Sequence, residues 1–363
     1  MAKVKLNDVA VEARETWKQS KTDVPVVGLE HLEPDEIWLR RWDLNPDENT
    51  FTKGFRKGQL LFGRRRAYQK KMSVASCDGI CSGDITVIAA RPEKILPELL
   101  PFYLRTDSFF DFAVRGSGGS LSPRVKWSHI SDYEFDLPPM EEQKKLAELL
   151  WAANDLKEKY KKAITATDEM LIAKFREMFG DIIHNDKCWP AQKLAKVMRL
   201  INGRAYAKHE LLSSGKYRVL RVGNFFTNDS WYYSDMELEP DKYCEKGDLL
   251  FAWSASFGPR IWDDEKVIYH YHIWKVEHSS ELDRKWAFWL LSTIAGNVKG
   301  HTHGSTMVHT TKGDMEKRII PLPPLSLQRE FVAIAEKAEA AKASLKKSIA
   351  DIEQVMKGLI NNG

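Results

Sequence analysis

"DLPPMEEQKKLAELL" occupies residues 136–150, and "PLPPLSLQREFVAIA" occupies residues 321–335. The two stretches lie 185 positions apart in a chain of 363 residues, close to half its length. A repeat on that scale decides the fold, because each copy must build the same supersecondary unit. With an ungapped shift of 185, Leu137-Pro138-Pro139 falls on Leu322-Pro323-Pro324 and Gln143 on Gln328. Ala153 and Lys157 fall on Ala338 and Lys342, Lys161-Lys162 on Lys346-Lys347, and Ile164 on Ile349.

The match runs backward as well. "GGSLSPRVKWSHISDYEFDLPP" (118–139) and "HGSTMVHTTKGDMEKRIIPLPP" (303–324) have equal length, and Gly119-Ser120 falls on Gly304-Ser305. Further upstream, "KGQLLF" (57–62) is similar to "KGDLLF" (246–251), "VVGLEHL" (26–32) to "RVGNFFT" (221–227), and "VKLNDVA" to "QKLAKVM" (192–198). The shift drifts between 185 and 195 over these pieces, so the copies differ by small insertions. The order is globular arm, helix, globular arm, helix.

Proline fixes φ and is tolerated in a first helical turn, so each Leu-Pro-Pro suits a helix start. Glu141 and Glu142 would face the positive end of the helix dipole. The first stretch then sets Leu149, Ala153, Leu156, Tyr160, Ile164, Thr167 and Leu171 at three- and four-residue steps. The second sets Ile334, Ala338, Ala341, Leu345, Ile349, Ile352 and Met356 likewise. That spacing predicts a coiled-coil seam. Gly180 is the expected stop of the first helix. Each stretch of about 35 residues would measure roughly 50 Å. A lone helix with one apolar stripe is unstable in water, and the economical partner is the other helix, packed antiparallel. The alternative is that each helix packs on its own arm.

Both arms read as mixed α/β. "QLLFGRR", "DITVIAA", "RVLRVGN", "DLLFAWS" and "HIWKVEH" are short, rich in β-branched and aromatic residues, and bounded by Gly, Asp or Pro. "LPELLPFYLRTDSFFDFAV" and "DRKWAFWLLSTIAGNVK" are the helical pieces. The expected fold class is α/β (α+β): two tandem mixed arms separated by an antiparallel pair of long helices, with a pseudo-twofold internal repeat. The expected boundaries are 1–137 and 181–321 for the arms, and 138–180 and 322–363 for the helices.

Composition excludes several classes. A hydrophobic content of 43% is that of a folded soluble protein. No apolar run is long enough to cross a bilayer, and the first residues lack the apolar core of a signal peptide, so a cytoplasmic protein is expected. Cys77, Cys81, Cys188 and Cys244 are too few for a disulfide scaffold and lack the second close pair of a zinc site, which leaves free thiols in a reduced compartment. The net charge of +4, from 55 basic and 51 acidic residues, leans only weakly toward a polyanionic partner.

The clustering of charge says more. "GRRRAYQKK" (63–71) places Arg64, Arg65, Arg66, Tyr68, Lys70 and Lys71 just after a predicted strand. Guanidinium groups fit phosphates and guanine edges with paired hydrogen bonds, and Tyr68 could stack. A solvated basic loop is the plainer reading. "VRGSGGSLSPRVKWSH" (114–129) adds Ser117, Ser120, Arg124 and Lys126 on a Gly/Ser-rich loop that lets backbone N–H groups approach phosphate. Its counterpart "VKGHTHGSTMVHTTK" (298–312) offers Lys299, His301, Thr302, His303 and Ser305. His-x-His invites a metal reading, but the loop has no acidic residue, and no metal site is expected. Arg204, Tyr206 and Lys208 in "NGRAYAKHE" (202–210), and Ser254 and Arg260 in "AWSASFGPR" (252–260), complete the candidates, with Trp253 equally suited to a core. No catalytic residue is assigned. A Walker loop, a strand followed by GxGxxG, and an Asn/Asp-Pro-Pro-aromatic signature are all missing from the sequence.

Two arms, each ending in Gly-Ser, Leu-Pro-Pro and a long helix, resemble the specificity subunits of type I restriction-modification systems. "VGLEHLEP", "KGQLLF", "DGICSGDITVI" and "LPPMEEQKKLAELL" carry the resemblance, which covers essentially the whole chain. It implies two target-recognition domains that read a bipartite site in double-stranded DNA. The helix pair would set the distance between half-sites. Partners would be two modification subunits that methylate adenine, and restriction subunits with motor and nuclease. Methyl donor, ATP and Mg would sit on those partners, and this chain would be non-catalytic. The competing readings are a coiled-coil adaptor with two protein-binding heads, and a self-sufficient DNA enzyme.

Overall fold

The computed structural model describes residues 2–44, 50–119, 121–226, 229–254, 257–301 and 310–362. The chain divides into two compact units, Met1–Lys162 with Leu345–Gly363, and Ala163–Ser344. Both expected helices are present, as Met140–Phe179 and Leu325–Asn362, and both run on from one unit into the other along the chain. Gly180 ends the first helix at φ +76, a left-handed value that glycine adopts without a Cβ penalty, and its N–H bonds the Arg176 carbonyl at 2.8 Å.

In the first unit, Ala2–Lys5 pairs antiparallel with Glu134–Leu137, the strand that feeds the long helix. An antiparallel sheet orders Ala10–Glu12, Ile85–Ala90, Leu60–Gly63 and Met72–Val74. A second sheet orders Val26–Val27, Gly79–Cys81 and Lys53–Phe55, its first pair parallel. The expected long helical piece breaks in two, Leu100–Leu104 and Asp107–Arg115, because Thr106 leaves helical geometry to cap the second with its side chain on the Phe109 N–H.

The second unit repeats this order. Ala191–Lys193 pairs with Ile319–Pro321, and Met198–Asn202, Ile273–His278, Leu249–Ala252 and Gly258–Ile261 form the antiparallel sheet. Tyr217–Leu220 lies parallel to Val267–Tyr269, which pairs with Tyr243–Cys244, and Tyr232–Ser234 is an added edge strand. Arg284–His301 is one helix.

The conserved shift has a physical meaning at Gln143 and Gln328, which are 2% and 0% exposed. Gln143 accepts the Leu96 N–H at 2.9 Å and donates to the Lys94 and Pro138 carbonyls. Gln328 accepts the Asp283 N–H at 2.9 Å and donates to the Glu281 and Pro323 carbonyls. Each glutamine thus pins the start of a long helix to its own arm by satisfying three backbone groups that have no other partner among the described residues.

Within each unit the helix segments run antiparallel. In the first, Lys157 pairs with Glu353 at 3.5 Å, while Met356, Leu359 and Ile360 pack on the core that includes Leu146, Ala147 and Leu150. In the second, Lys342 pairs with Asp168, and the Phe175 and Phe331 rings lie 5.1 Å apart. Shifted by 185, Lys157 becomes Lys342 and Asp168 becomes Glu353, so the same ion pair is written twice. The first helix also grips its own arm. The Trp151 ring lies tilted against Trp38 and edge-on to Phe102, each at 5.0 Å, and its indole N–H donates to the Glu98 carbonyl.

The buried stripe is displaced from the one that heptad spacing predicts. Leu149 and Leu156 are 56% and 41% exposed, and Ala341 also faces out. Leu146, Ala147, Leu150 and Asn154 are buried on the first helix, and Lys342 on the second. The inward face is set by the arm beneath the helix as well as by the other helix, and that rotates the stripe. Leu171 and Ala338 are buried, and Ala153, Tyr160, Ile164, Ile334, Leu345, Ile349, Ile352 and Met356 are half-buried.

The units pack unequally at one shared position. Phe175 in the second lies among Phe179, Trp286, Trp289 and Phe331. Its counterpart in the first is Ile360, which borders a cavity of about 500 Å³ lined also by Phe102, Phe110, Asn154 and Met356.

Candidate nucleic-acid interface

Strand Leu60–Gly63 ends where the chain must leave the sheet, and the basic stretch starts there. The Arg64 N–H bonds the Asp84 carbonyl at 2.9 Å, and the Arg64 carbonyl accepts from the Val125 N–H at 3.0 Å. Arg65 bridges to Arg124, and the Arg66 N–H reaches the Pro123 carbonyl at 2.8 Å. The loop 118–124 is closed by two backbone bonds between Gly118 and Arg124, at 3.0 and 2.9 Å. The structure therefore brings the two basic stretches picked from sequence into one corner.

Asp84 sits at the centre of that corner. Its Oδ1 accepts from Arg124 Nε at 2.6 Å, and its Oδ2 lies 3.3 Å from Arg124 Nη2 and 3.4 Å from Arg65 Nη1. These hydrogen bonds, the Arg124 one first, hold the Asp84 carboxyl below the usual carboxylate range. Arg65 also donates to Ser122 Oγ at 3.0 Å, so both its terminal nitrogens are engaged. Arg66, in the left-handed region at φ 54, is exposed, and Arg66 and Lys126 make no ion pair among the described residues. Tyr68 is 56% exposed on the turn Ala67–Gln69. Lys70 pairs with Asp107 at 2.6 Å, Lys71 donates to the Leu29 carbonyl, and Ser117 donates to the Ala113 carbonyl. The last two are occupied in holding the arm together.

The equivalent corner of the second unit has other chemistry. Strand Leu249–Ala252 ends at Trp253, and the neighbouring strand starts after the tight turn His270-Tyr271-His272. Trp253 Nε1 and Asn202 Nδ2 both donate to the Tyr271 carbonyl, at 2.9 and 3.2 Å. The rings of Tyr271 and His272 are 3.9 Å apart, and those of His270 and His272 are 4.8 Å apart. Burial, reinforced by His272 and Arg221, pushes His270 down to about 4, so its imidazole is neutral at pH 7. Gly203 allows the chain to pass here, since a Cβ would lie 2.1 Å from the Tyr269 carbonyl oxygen. Arg204 follows it, forked onto Glu210 at 2.6 and 2.9 Å and 5.2 Å above the Tyr206 ring.

The remaining candidates fall differently. Lys208 is exposed, Ser254 is 6% exposed and thus interior, and Arg260 is held by the Phe225 carbonyl and Asp263, each at 2.8 Å. Lys299 and His301 lie within helix Arg284–His301, while Ser120, Thr302, His303 and Ser305 lie outside the described residues. Sequence reading passed over Asp84, Ser122 and the 270–272 turn. The available signal was a strand-opening aspartate facing an unbalanced basic stretch.

Among the described residues, Glu30, His31 and Asp43 form a group with metal-ligand types. The Gly28 N–H donates to His31 Nδ1 at 2.9 Å, which places the imidazole proton on Nε2, the nitrogen facing Asp43 at 3.6 Å. A protonated Nε2 donates to a carboxylate and cannot ligate a metal. No described helix is long and apolar enough to cross a membrane.

Residues 186–354 match the family model described as the type I restriction modification DNA specificity domain. The chain is 24% identical over 278 residues to the type I restriction enzyme MjaIX specificity subunit of Methanocaldococcus jannaschii, a match covering 67% of this chain and 62% of that one. It is 21% identical to the putative type I restriction enzyme MjaX specificity subunit of the same organism, covering 96% and 84%. Two solved structures share the fold. One, from work on assembly and conformational transition of a type I R-M system, superposes with a TM-score of 0.60 at 19% identity, covering 99% of this chain and 96% of that one. The other, the type I restriction-modification S subunit from M. genitalium, gives 0.57 at 13% identity, covering 99% and 95%.

Proposed function

Because the chain belongs to the family of type I restriction-modification specificity subunits, we propose that it reads a bipartite DNA target, one short half-site per arm, for a methyltransferase and restriction assembly. The observation that carries this is the pair of corners. The same strand ends support arginines and a carboxylate in one unit, and the neutral His270 imidazole with histidine, tyrosine and tryptophan rings in the other. Phosphate contacts alone would need only positive charge in both, whereas reading different bases needs different donors and acceptors on a common frame.

The long helices would fix the gap between half-sites and dock the modification subunits. The first has 40 residues, about 60 Å at the helical rise. Its exposed Leu149 and Leu156 lie seven positions apart on one outward face, an apolar strip suited to a partner helix. Methyl donor, ATP and Mg would be held by the partner subunits, with recognition left to this chain.

Selection of duplexes from a random library by the chain co-expressed with its methyltransferase should return two short fixed blocks with a constant gap. Removing seven residues from each long helix should shorten the gap by about three base pairs, from the loss of about 10 Å of rise, and leave both blocks intact. A single block, or a gap that ignores helix length, would sink the proposal.

A second expectation concerns Arg66. Glycine accepts its left-handed backbone without the steric cost of a side chain, so Arg66→Gly should leave stability within about 1 kcal/mol of the parent. Loss of an unpaired phosphate-contacting charge should still weaken binding to all sequences and reduce the salt dependence by about one unit of slope. Titrations at several salt concentrations, beside a melting curve, measure both.

A further inference from the structure

We propose that Arg124, buttressed by Asp84, reads a guanine in the half-site of the first arm, and that Asp84 is a positioning residue for it. The proposal rests on the DNA-reading role of the arm. A guanidinium is planar and presents its five N–H donors along three edges. Asp84 takes the Nε/Nη2 edge of Arg124, at 2.6 and 3.3 Å, and that side chain stays 45% exposed. The Nη1/Nη2 edge points elsewhere and has no hydrogen-bond partner among the described residues. That edge matches the O6 and N7 acceptors of guanine in the major groove.

Three features separate this arginine from an ordinary phosphate contact. The carboxylate, shared with Arg65, offsets part of its charge, which lowers the attraction to phosphate but leaves the donors aimed. The two bonds fix the side chain in one direction, so less rotational freedom is lost when a base is met. Asp84 is itself held in place, its side chain 20% exposed and its backbone carbonyl bonded to the Arg64 N–H. Arg65 completes the base of the cluster. Its Nη1 faces Asp84 and its Nη2 donates to Ser122 Oγ, so it supports the corner instead of presenting an edge. Charge for phosphate is left to Arg66 and Lys126, which make no ion pair among the described residues.

The test compares the full chain with Arg124→Lys and Asp84→Asn, each co-expressed with the methyltransferase, in selection from a random duplex library. Lysine keeps the charge and loses the fork. Asparagine keeps the volume and loses the ionised partner. The parent should fix a guanine in one block with a preference of at least tenfold, and replacing that base by 7-deazaguanine should weaken binding at least fivefold. In Arg124→Lys the guanine preference should fall below threefold, and the 7-deaza effect should vanish. In Asp84→Asn the preference should fall several-fold, with the second block unchanged in both variants. Guanine preference kept in Arg124→Lys overturns the assignment, and preference kept in Asp84→Asn overturns the buttress. A uniform loss across sequences with a shallower salt slope makes Arg124 a phosphate contact and overturns the base reading. Should the parent select no sequence at all, the functional reading falls and takes this proposal with it, whereas a selected site indifferent to both variants removes this proposal alone.

Discussion

Phe175→Ala is expected to destabilise the second unit by about 3–5 kcal/mol, the range for deleting a buried aromatic ring. Phe175 is 5% exposed, and its ring lies 4.9 Å from Phe179, 5.1 Å from Phe331, 6.0 Å from Trp289 and 6.2 Å from Trp286. It belongs to the first long helix and Phe331 to the second, so its removal strips both transfer energy and a direct tie between the helices. These neighbours are large and rigid, which limits collapse into the space and places the loss toward the upper end. Ile360→Ala makes the control. That residue occupies the matching position in the first unit, is half-buried and already borders an open cavity, so its truncation should cost about 1–2 kcal/mol. Denaturant titration of both variants decides the matter, and equal losses would show that the ring cluster contributes nothing beyond ordinary burial.

Gln328→Leu should cost about 3 kcal/mol or more, although leucine is the more hydrophobic residue. The site is fully buried, and the change leaves the Asp283 N–H and the Glu281 and Pro323 carbonyls without partners. Each unsatisfied buried group costs on the order of 1–3 kcal/mol, with partial relief as the backbone relaxes. Gln143→Leu should behave alike in the first unit, since Leu96, Lys94 and Pro138 lose the same three bonds. Gln328→Glu supplies a pH readout. An ionised carboxylate could accept from Asp283 but would face two carbonyl oxygens, so its folded pKa must rise above the unfolded value. The cost is then greatest above the folded pKa, and it shrinks as pH falls through that value toward the unfolded one. A melting profile of this variant that follows the parent at every pH would rule out the staple.

Much of this organisation can be read before any coordinates are known. Leu-Pro-Pro followed by a long periodic run gives a helix start because proline and periodicity act locally, and Gly180 gives the stop for the same reason. The repeat exposes the arms because copied cores keep copied patterns. The inward face of the helices was less legible. Leu149 and Leu156 fit a heptad, yet Leu146, Leu150 and Asn154 are inside, because Trp38, Phe102 and the rest of the arm compete with the second helix for the buried stripe. Periodicity reports that a face exists and is blind to which neighbour claims it.

The candidate corner divides in the same way. Arg64, Arg65, Arg66 and Arg124 stand out as charge, and the fold does bring them together. Their different hydrogen-bond partners come from Asp84 and Ser122, which lie 19 residues after and 57 residues after Arg65 and carry no local signature. The 270–272 turn was missed for a related reason. Alternating histidine and tyrosine beside a strand reads as more strand until the Gly203 backbone is seen passing against it.

The empty space beside Ile360 gives the two halves unequal cohesion. A chain that copied one plan twice has filled it with a phenylalanine in one copy and left slack in the other, where the final turns of the polypeptide are held by half-buried aliphatic contacts and the exposed Lys357–Asp107 pair. Breathing of the native state should therefore begin at that helical segment of the first unit, well before the strands of either arm loosen.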